Sequence, residues 1–228
     1  VRAHTEVHHL NMAAQEVVLA NGETLRWRDL VLALGADPIR LPLDGNAATE
    51  VLSVNDLDDF ARFADRLADV KRVIILGGGL IGCEFANDLL ARGITPVVVD
   101  PAAWPLSRLL PEAAGTRLRE RLEAAGAEFH FGVAASAVNA AKAGSTTRLC
   151  ITLNDGRDIS ADLVLSAIGL RPRIALAQAA GLETARGIVT DRLLRTSDEH
   201  IYALGDCAEV SGKVLMYVLP LMAAARAL

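Results

Sequence analysis

The feature that most constrains the fold is a glycine-rich turn placed between a short aliphatic strand and a helix. Residues 77–82 read GGGLIG, which fits the pattern G-x-G-x-x-G, and they directly follow a predicted strand over residues 72–76 whose last four residues are aliphatic. A helical pattern over residues 82–91 comes next and is closed by Gly93, after which the aliphatic residues 95–99 lead to Asp100. This order of strand, glycine turn, helix, strand and acidic residue predicts a βαβ unit that binds a dinucleotide.

Each part of this motif has a mechanical reason. Gly77 permits the tight turn, Gly79 lets backbone N–H groups approach a pyrophosphate, and Gly82 lets the helix pack closely on the strand. Asp100 can accept hydrogen bonds from ribose hydroxyls and would repel a 2′-phosphate, while residues 101–103 offer no arginine to attract one. The pattern therefore favours NAD over NADP, against the alternative of a glycine turn that binds nothing.

Further strand and helix patterns extend this unit on both sides. Upstream, Asn55 can cap a helix over residues 56–68 whose apolar residues recur at helical spacing, namely Leu57, Phe60, Ala61, Ala64 and Leu67. Downstream, the patterns predict a helix over 111–125, strands over 128–131 and 187–190, a strand ending in Gly205-Asp206, and a helix opened by Pro220. The alternation of strands and helices is typical of a parallel sheet covered by helices.

A repeated pattern flanks the predicted βαβ unit. Residues 17–22 run through an Asn-Gly turn to an aliphatic strand that ends at Gly35, and residues 151–156 run through an Asp-Gly turn to one that ends at Gly169. The interval from the turn glycine to the strand-end glycine is the same in both copies. Asn-Gly and Asp-Gly favour hairpins, because both central positions of a type I′ turn need positive φ. We infer a duplicated supersecondary unit, with a chance match as the alternative.

Composition agrees with this class and excludes several others. Of the 228 residues, 52% are hydrophobic and only 4% are aromatic, as aliphatic parallel strands require. The net charge of −5 argues against nucleic acid and against a polybasic membrane patch, and no apolar run reaches the roughly 18–20 residues needed to span a bilayer. The three cysteines and five histidines show neither disulfide-framework nor metal-ligand spacing, so we predict no metal site and expect a reducing cytoplasm.

Two acidic residues beside these elements are further candidates. Glu84 stands among apolar neighbours just after the motif, so a partly buried carboxylate near a bound ring and an ordinary surface residue at a helix start both suit its position. Asp206 follows Gly205 at a strand end, where it can bind a ribitol or ribose hydroxyl or simply form a turn. We expect the adjacent Cys207 to be a small buried residue and not a redox thiol.

Three segments together resemble the FAD-dependent pyridine nucleotide-disulfide oxidoreductases: residues 77–86, residues 163–173 and residues 196–206. Within that family, residues 83–89, 205–210 and 217–222 are most similar to the NADH:rubredoxin reductase branch. The resemblance implies an α/β fold with two Rossmann-like FAD/NAD(P)-binding domains of the glutathione-reductase type. It implies a first part of an FAD-binding domain over residues 1–47, an inserted NAD-binding domain over 48–168, and a continuation of the FAD-binding domain over 169–228.

The resemblance also implies roles for individual residues, with no side chain assigned to catalysis with certainty. On the NADH side it places Gly77, Gly79, Gly82 and Asp100 at the dinucleotide, Glu84 beside the flavin–nicotinamide stack, and Gly169 at a strand end. On the FAD side it places Val7 at the adenine, Gly35 at a strand end close to FAD, Asp206 at the ribityl chain, and Val218 at the flavin's pyrimidine edge.

The activity implied is electron transfer from NADH through FAD to rubredoxin or a similar small iron carrier. The alternatives are a related ferredoxin- or nitrite-type NADH reductase, an NADH oxidase, or a non-catalytic NAD-binding fragment. The family's FAD-binding G-x-G-x-x-G motif is expected upstream of Val1 and its C-terminal interface domain beyond Leu228, so an internal fragment is expected.

Overall fold

The computed structural model describes residues 1–228, which form two compact units: residues 1–37 with 170–228, and residues 38–169. The strands are β1 Val7–Asn11, β2 Glu16–Leu19, β3 Thr24–Arg26, β4 Leu30–Leu32, β5 Ala36–Pro38, β6 Arg72–Leu76, β7 Thr95–Asp100, β8 Glu128–Phe131, β9 Ala135–Ala140, β10 Leu149–Leu153, β11 Asp158–Ala161, β12 Leu163–Ser166, β13 Leu170–Pro172, β14 Ile188–Thr190, β15 Ile201–Ala203 and β16 Ala208–Val210. The helices are α1 Leu57–Arg66, α2 Leu80–Ala91, α3 Glu112–Ala124, α4 Ala175–Ala179 and α5 Val218–Ala227, with 3-10 turns at Ala48–Glu50 and Gly205–Cys207. None of the helices combines the length and apolar character needed to cross a bilayer.

The middle unit is built on a four-stranded parallel sheet in the order β12-β6-β7-β8. Alternate residues of its strands face two different layers. Ile74, Val97 and Val164 pack toward the antiparallel sheet β11-β10-β9, whereas Val73 and Val98 pack toward the three helices. Because both faces are covered, the buried residues of β6, β7 and β12 are aliphatic, and the sheet confirms the predicted α/β class with a parallel sheet.

The first helix of this unit departs from its prediction in both cap and buried face. It spans Leu57–Arg66, and its cap is Asp56, whose side chain accepts from the Asp59 N–H, so the predicted Asn55 cap is wrong. Its buried residue is Phe63, whose ring meets Phe85 of α2 edge-to-face at 5.3 Å, while Leu57 and Phe60 are exposed. Leu67, which belongs to the predicted face, packs against the same cluster as Phe63, and the aromatic partner on α2 accounts for the burial of Phe63.

The outer unit is made of short sheets: β1-β2-β3, β15-β4, β14-β16 and β13-β5. Its core joins Leu32 of β4 to Ile188 and Ile201 of the later strands and to Ala177 of α4. The last helix begins at Val218 and not at the predicted Pro220, which is the third helical residue. A proline is tolerated throughout the first helical turn, because those N–H groups have no partner within the helix.

The inferred repeat is confirmed in hydrogen-bond detail. In the first copy Gly22 donates its N–H to the Leu19 carbonyl at 2.9 Å, and in the second Gly156 donates to Leu153 at 3.0 Å. Both turn glycines have φ of +85°, but neither Asn21 nor Asp155 has a positive φ, so the predicted type I′ turn is wrong, and each glycine is the last residue of its turn. Each hairpin pairs with one further antiparallel strand, and each of those pairings carries a register shift at the same place, opposite the turn end of the hairpin. A shared bulge at a matching position is not expected from two unrelated hairpins.

Candidate cofactor-binding sites

The glycine turn lies at the carboxyl end of β6, where doubly wound sheets bind their ligands. Gly77 has φ of +109°, and its N–H donates to the Val99 carbonyl at 2.8 Å. A Cβ at Gly77 would lie 2.6 Å from the carbonyl oxygen of Ala167. Conformation and space therefore both require glycine at this position.

The other two glycines of the motif have opposite surroundings. A Cβ at Gly82 would overlap the carbonyl oxygen of Gly77, so α2 and the turn are in direct contact there. A Cβ at Gly79 would meet nothing within 4 Å, and Gly79 is the N-cap of α2 with no side chain capping the helix. The turn thus leaves an open space in front of uncapped helix N–H groups, which is an arrangement that binds phosphate.

Asp100 lies at the end of β7 and is tied to this turn. One carboxylate oxygen accepts from the Gly78 N–H at 2.5 Å, and the other accepts from the Ala102 N–H at 2.7 Å. A carboxylate offers about four lone-pair sites, so ribose hydroxyls can still donate to it. The bond to Gly78 was not predicted from sequence, although the Asp at the strand end was the signal for it.

Two residues that sequence reasoning missed complete the surroundings of Gly78. A Cβ at Gly78 would lie 3.2 Å from the ring of Phe131, which ends β8 beside Asp100 in the sheet. The guanidinium of Arg119 on α3 lies 5.7 Å from the centre of that ring. Phe131 could have been found as the last residue of a parallel strand, whereas no local signal marks Arg119.

Glu84 is exposed on α2, which favours the surface position over the partly buried one of the two alternatives for this residue, and its side chain makes no hydrogen bond within the chain. The buried neighbour is Cys83, whose pKa is raised to about 11 by burial and, to a smaller extent, by the charges of Asp100 and Glu84. A thiol with so high a pKa is a poor nucleophile at neutral pH. Cys83 is therefore a packing residue.

A second group of predicted residues comes together in the outer unit. The side chain of Leu221 on α5 lies 3.4 Å from where a Gly205 Cβ would be, so the Gly205-Asp206 turn and the start of α5 are neighbours. Asp206 is half-buried and makes no side-chain hydrogen bond, and Val218 is the first residue of the uncapped α5. A free carboxylate and a bare helix N-terminus therefore lie in one region, as a bound polar cofactor would require.

Cys207 connects this region to the end of β4. Its sulfur accepts from the Leu34 N–H at 3.3 Å and donates to the carbonyls of Leu32 and Leu204 at 3.4 and 3.3 Å. Burial raises the pKa of this thiol, so the expectation of a small buried residue is confirmed. The contact brings Gly35, which has φ of +71°, into the neighbourhood of Asp206.

The remaining two predicted residues are Val7 and Gly169. Val7 pairs with Leu19 at the start of β1 and is partly exposed. Gly169 has φ of +112° and accepts from the Ile39 N–H at 3.0 Å, where the middle unit begins and ends. Gly169 directly follows Ile168, whose backbone nitrogen lies 3.2 Å from where a Gly77 Cβ would be, so Gly169 lies close to the glycine turn.

Known proteins similar to this chain are consistent with that geometry. Rubredoxin-NAD(+) reductase of Alcanivorax borkumensis is 53% identical over 229 residues, covering 100% of this chain and 59% of the relative. Nitric oxide reductase FlRd-NAD(+) reductase of Vibrio vulnificus is 38% identical over 228 residues, covering 100% of this chain and 58% of the relative. The chain therefore spans less than two thirds of the length of these relatives.

The fold comparison points in the same direction. The structure of a ferredoxin reductase from Rhodopseudomonas palustris matches with a TM-score of 0.83 and 35% identity over 90% of this chain and 50% of that one. The sequence profile described as pyridine nucleotide-disulphide oxidoreductase matches residues 1–227. That match takes in the glycine turn, Asp100 and the Gly205-Asp206 turn, and the chain accordingly belongs to the pyridine nucleotide-disulphide oxidoreductase family.

Proposed function

We propose that this chain is the nucleotide-binding part of a flavoprotein that takes electrons from NADH and passes them through FAD to rubredoxin or a similar small iron carrier. The observation that carries the proposal is the glycine turn: Gly77 and Gly82 have no room for a side chain, while the space at Gly79 is open. Membership of the family and the likeness to rubredoxin-NAD(+) reductase support the reaction and the acceptor.

The NADH half of the site belongs to the middle unit in this proposal. The uncapped N-terminus of α2 binds the pyrophosphate, and Asp100 accepts from ribose hydroxyls while it repels a 2′-phosphate. Glu84 lies on the exposed side of α2, where it faces the nicotinamide and flavin. The residues proposed for NADH are Gly77, Gly79, Gly82, Glu84, Asp100 and Gly169.

The FAD half belongs to the outer unit. Asp206 holds a hydroxyl of the ribityl chain, and the positive end of α5 at Val218 stabilises negative charge on the flavin ring. Bound together, NADH supplies a hydride and FAD accepts it and releases electrons one at a time, while the protein orients the two cofactors. The residues proposed for FAD are Val7, Gly35, Asp206 and Val218.

The domain assignment follows from these halves. We assign the NAD-binding domain to residues 48–168, within the compact middle unit, and the two parts of the FAD-binding domain to residues 1–47 and 169–228. Residues 38–47 and Gly169 of that assignment pack in the middle unit and not in the outer one. A reducing cytoplasmic location belongs to the same proposal, supported by three cysteines that are all free thiols.

Acceptor identity is the part that a direct experiment decides. The whole protein, loaded with FAD, is mixed with NADH and with rubredoxin, ferredoxin or oxygen in turn, and the rate of acceptor reduction is followed. We expect rubredoxin to be reduced at least about tenfold faster than the others, which corresponds to about 1.4 kcal/mol in the barrier. Equal rates would contradict the rubredoxin assignment, and a flavin that NADH does not reduce would contradict the whole proposal.

A reductase for ferredoxin is the second candidate, favoured by the structural match to the Rhodopseudomonas palustris ferredoxin reductase. The same experiment separates the two, because faster reduction of ferredoxin than of rubredoxin selects this candidate. Binding of NADH without any flavin reduction selects the alternative of a non-catalytic NAD-binding module.

A further inference from the structure

Residues 101–110, which connect β7 to α3, fold into one compact piece that we term the Trp104 segment. The N–H groups of Leu109 and Leu110 both donate to the Leu106 carbonyl at 2.8 Å. The indole N–H of Trp104 donates to the Leu110 carbonyl at 3.1 Å, and Pro105 is buried. Leu106 has φ of +57°, which a leucine rarely adopts, so the segment is held in one conformation by its own contacts.

One side of the Trp104 segment is seated on α3. Gly115 of that helix is buried, and a Cβ there would overlap the Trp104 ring and lie 2.8 Å from the Pro105 carbonyl oxygen. Glycine is unfavourable inside a helix, so its presence here has to serve the packing. Gly115 provides the space that lets Trp104 lie against α3.

The other side of the segment holds the middle glycine of the motif. The Leu106 N–H donates to the Gly78 carbonyl at 2.8 Å, while the Gly78 N–H donates to Asp100 at 2.5 Å. The Gly78 carbonyl and the Gly79 N–H belong to one planar peptide group and point in opposite directions. That carbonyl also accepts from the Cys83 thiol at 3.5 Å, and the shorter bond from Leu106 does most to fix the direction of the Gly79 N–H, which borders the open space of the turn.

We propose that Trp104 is a positioning residue for NADH binding: seated on Gly115, it holds Leu106 against Gly78 and so aims the Gly79 N–H at the pyrophosphate. The inference rests on the proposed binding of NADH at the glycine turn. Trp104 itself touches neither cofactor nor reacting atoms in this scheme. It therefore sets the affinity for NADH and leaves the hydride-transfer step unchanged.

The test uses the whole protein loaded with FAD and three variants that change the contact between Trp104 and Gly115. Trp104→Ala removes the ring, Trp104→Phe keeps a ring without the indole N–H, and Gly115→Ala displaces Trp104 while adding a residue that favours the helix. Trp27→Ala is the matched control, because Trp27 packs in the outer unit. The measurements are the dissociation constant for NADH, the limiting rate of flavin reduction at saturating NADH, and hydrogen exchange at Leu106 and Gly79.

We expect Trp104→Ala and Gly115→Ala to raise the dissociation constant for NADH about tenfold, with a smaller rise of about threefold in Trp104→Phe. The limiting rate of flavin reduction should stay within about twofold of the native value, and exchange at Leu106 should accelerate. Trp27→Ala should leave the dissociation constant unchanged. A general loss of structure would not weaken NADH binding while leaving the limiting rate of flavin reduction unchanged.

Other results overturn the proposal. Unchanged affinity in Trp104→Ala refutes it, as does an equal loss of affinity in Trp27→Ala, which would indicate general destabilisation. If Gly115→Ala does not fold, the graded effect of Trp104→Phe and Trp104→Ala still decides. A native protein that does not bind NADH refutes the proposed function instead, so the two failures are distinguishable.

Discussion

Two substitutions three positions apart in the glycine motif should have opposite effects on folding, although both weaken NADH binding. Gly82→Ala places a methyl group where α2 touches the turn, and Gly79→Ser places a hydroxymethyl group in the open space in front of the helix. The first perturbs a contact that the fold needs. The second fills a space that only a ligand needs.

The magnitude for Gly82→Ala follows from what the new Cβ meets. It would overlap the backbone oxygen of Gly77 and lie 3.0 Å from the attached carbonyl carbon, so no side-chain rotation relieves the clash. Overpacking of this kind costs typically 1–3 kcal/mol, and a rigid backbone neighbour puts it near the upper end, about 3 kcal/mol. Replacing glycine by alanine inside a helix returns about 1 kcal/mol. The net loss of about 2 kcal/mol lowers the melting temperature by roughly 4–8 °C for a domain of this size.

For Gly79→Ser we expect the free energy of unfolding to rise slightly, whereas it falls in Gly82→Ala. The residue is the N-cap of α2 with φ of −74° and ψ of −170°, which serine adopts freely, and no atom lies near the new Cβ. A serine N-cap stabilises a helix by a few tenths of a kcal/mol more than glycine, because its hydroxyl accepts from a free N–H of the first turn. The same hydroxyl occupies those N–H groups against a pyrophosphate, so NADH should bind at least about tenfold more weakly.

The assay pairs thermal unfolding with NADH titration on the FAD-loaded whole protein. Native NADH affinity in Gly79→Ser would refute the placement of the pyrophosphate at this turn. An unchanged melting temperature in Gly82→Ala would refute the close packing of α2 on Gly77. A fall in melting temperature for Gly79→Ser would show that the space at Gly79 is not free.

Three further substitutions test single residues. Asp100→Asn removes a negative charge, so the preference for NADH over NADPH, measured as a ratio of kcat/KM values, should fall. It also leaves the N–H of either Gly78 or Ala102 without its acceptor, so the melting temperature should drop. An unchanged ratio would argue against Asp100 at the ribose. Cys83→Ala tests the pKa of the buried thiol, which is raised from 9.0 to about 11. The protonated thiol stabilises the fold fully below pH 9, and this contribution is lost as the pH rises toward 11, so the free energy of unfolding in urea should depend less on pH in the variant than in the native protein over that range. Identical pH profiles of the two proteins would contradict the raised pKa. Glu84→Ala should leave the melting temperature unchanged, because the residue is exposed, and slow flavin reduction in stopped flow; native reduction rates would place Glu84 away from the stack.

Sequence predicted the elements that continuous burial or turn chemistry determines. The strands Arg72–Leu76 and Glu128–Phe131 have the predicted bounds, because aliphatic or aromatic runs between turns leave few other arrangements. The glycines of the two hairpins, and Gly77 and Gly82 of the dinucleotide turn, were found for a similar reason, since positive φ or missing space requires that residue type. What local chemistry dictates can be predicted from sequence.

Features chosen by a distant partner could not be predicted in the same way. On helix α1 the contact with Phe85 of α2 buries Phe63, while Phe60, three residues earlier, stays exposed. The exposure of Glu84 depends on which side of α2 meets the sheet, which neighbouring residue types do not reveal. The bonds between Asp100, Leu106 and Gly78 join segments without periodicity, so no pattern marks them in advance.

The bond between the Ile39 N–H and the Gly169 carbonyl has a kinetic consequence. The outer unit is discontinuous, and bringing its two pieces together across a flexible chain of about 130 residues would cost about 4 kcal/mol in loop-closure entropy. Once the inserted unit has folded, Ile39 and Gly169 at its two ends are already hydrogen-bonded to each other. The loop-closure entropy has then been lost during folding of the insert, and joining the two pieces of the outer unit costs little more. We therefore expect the order of folding to run from the inside of the sequence outward, so that early hydrogen-exchange protection appears in β6 and β7 before it appears in β4 and β15.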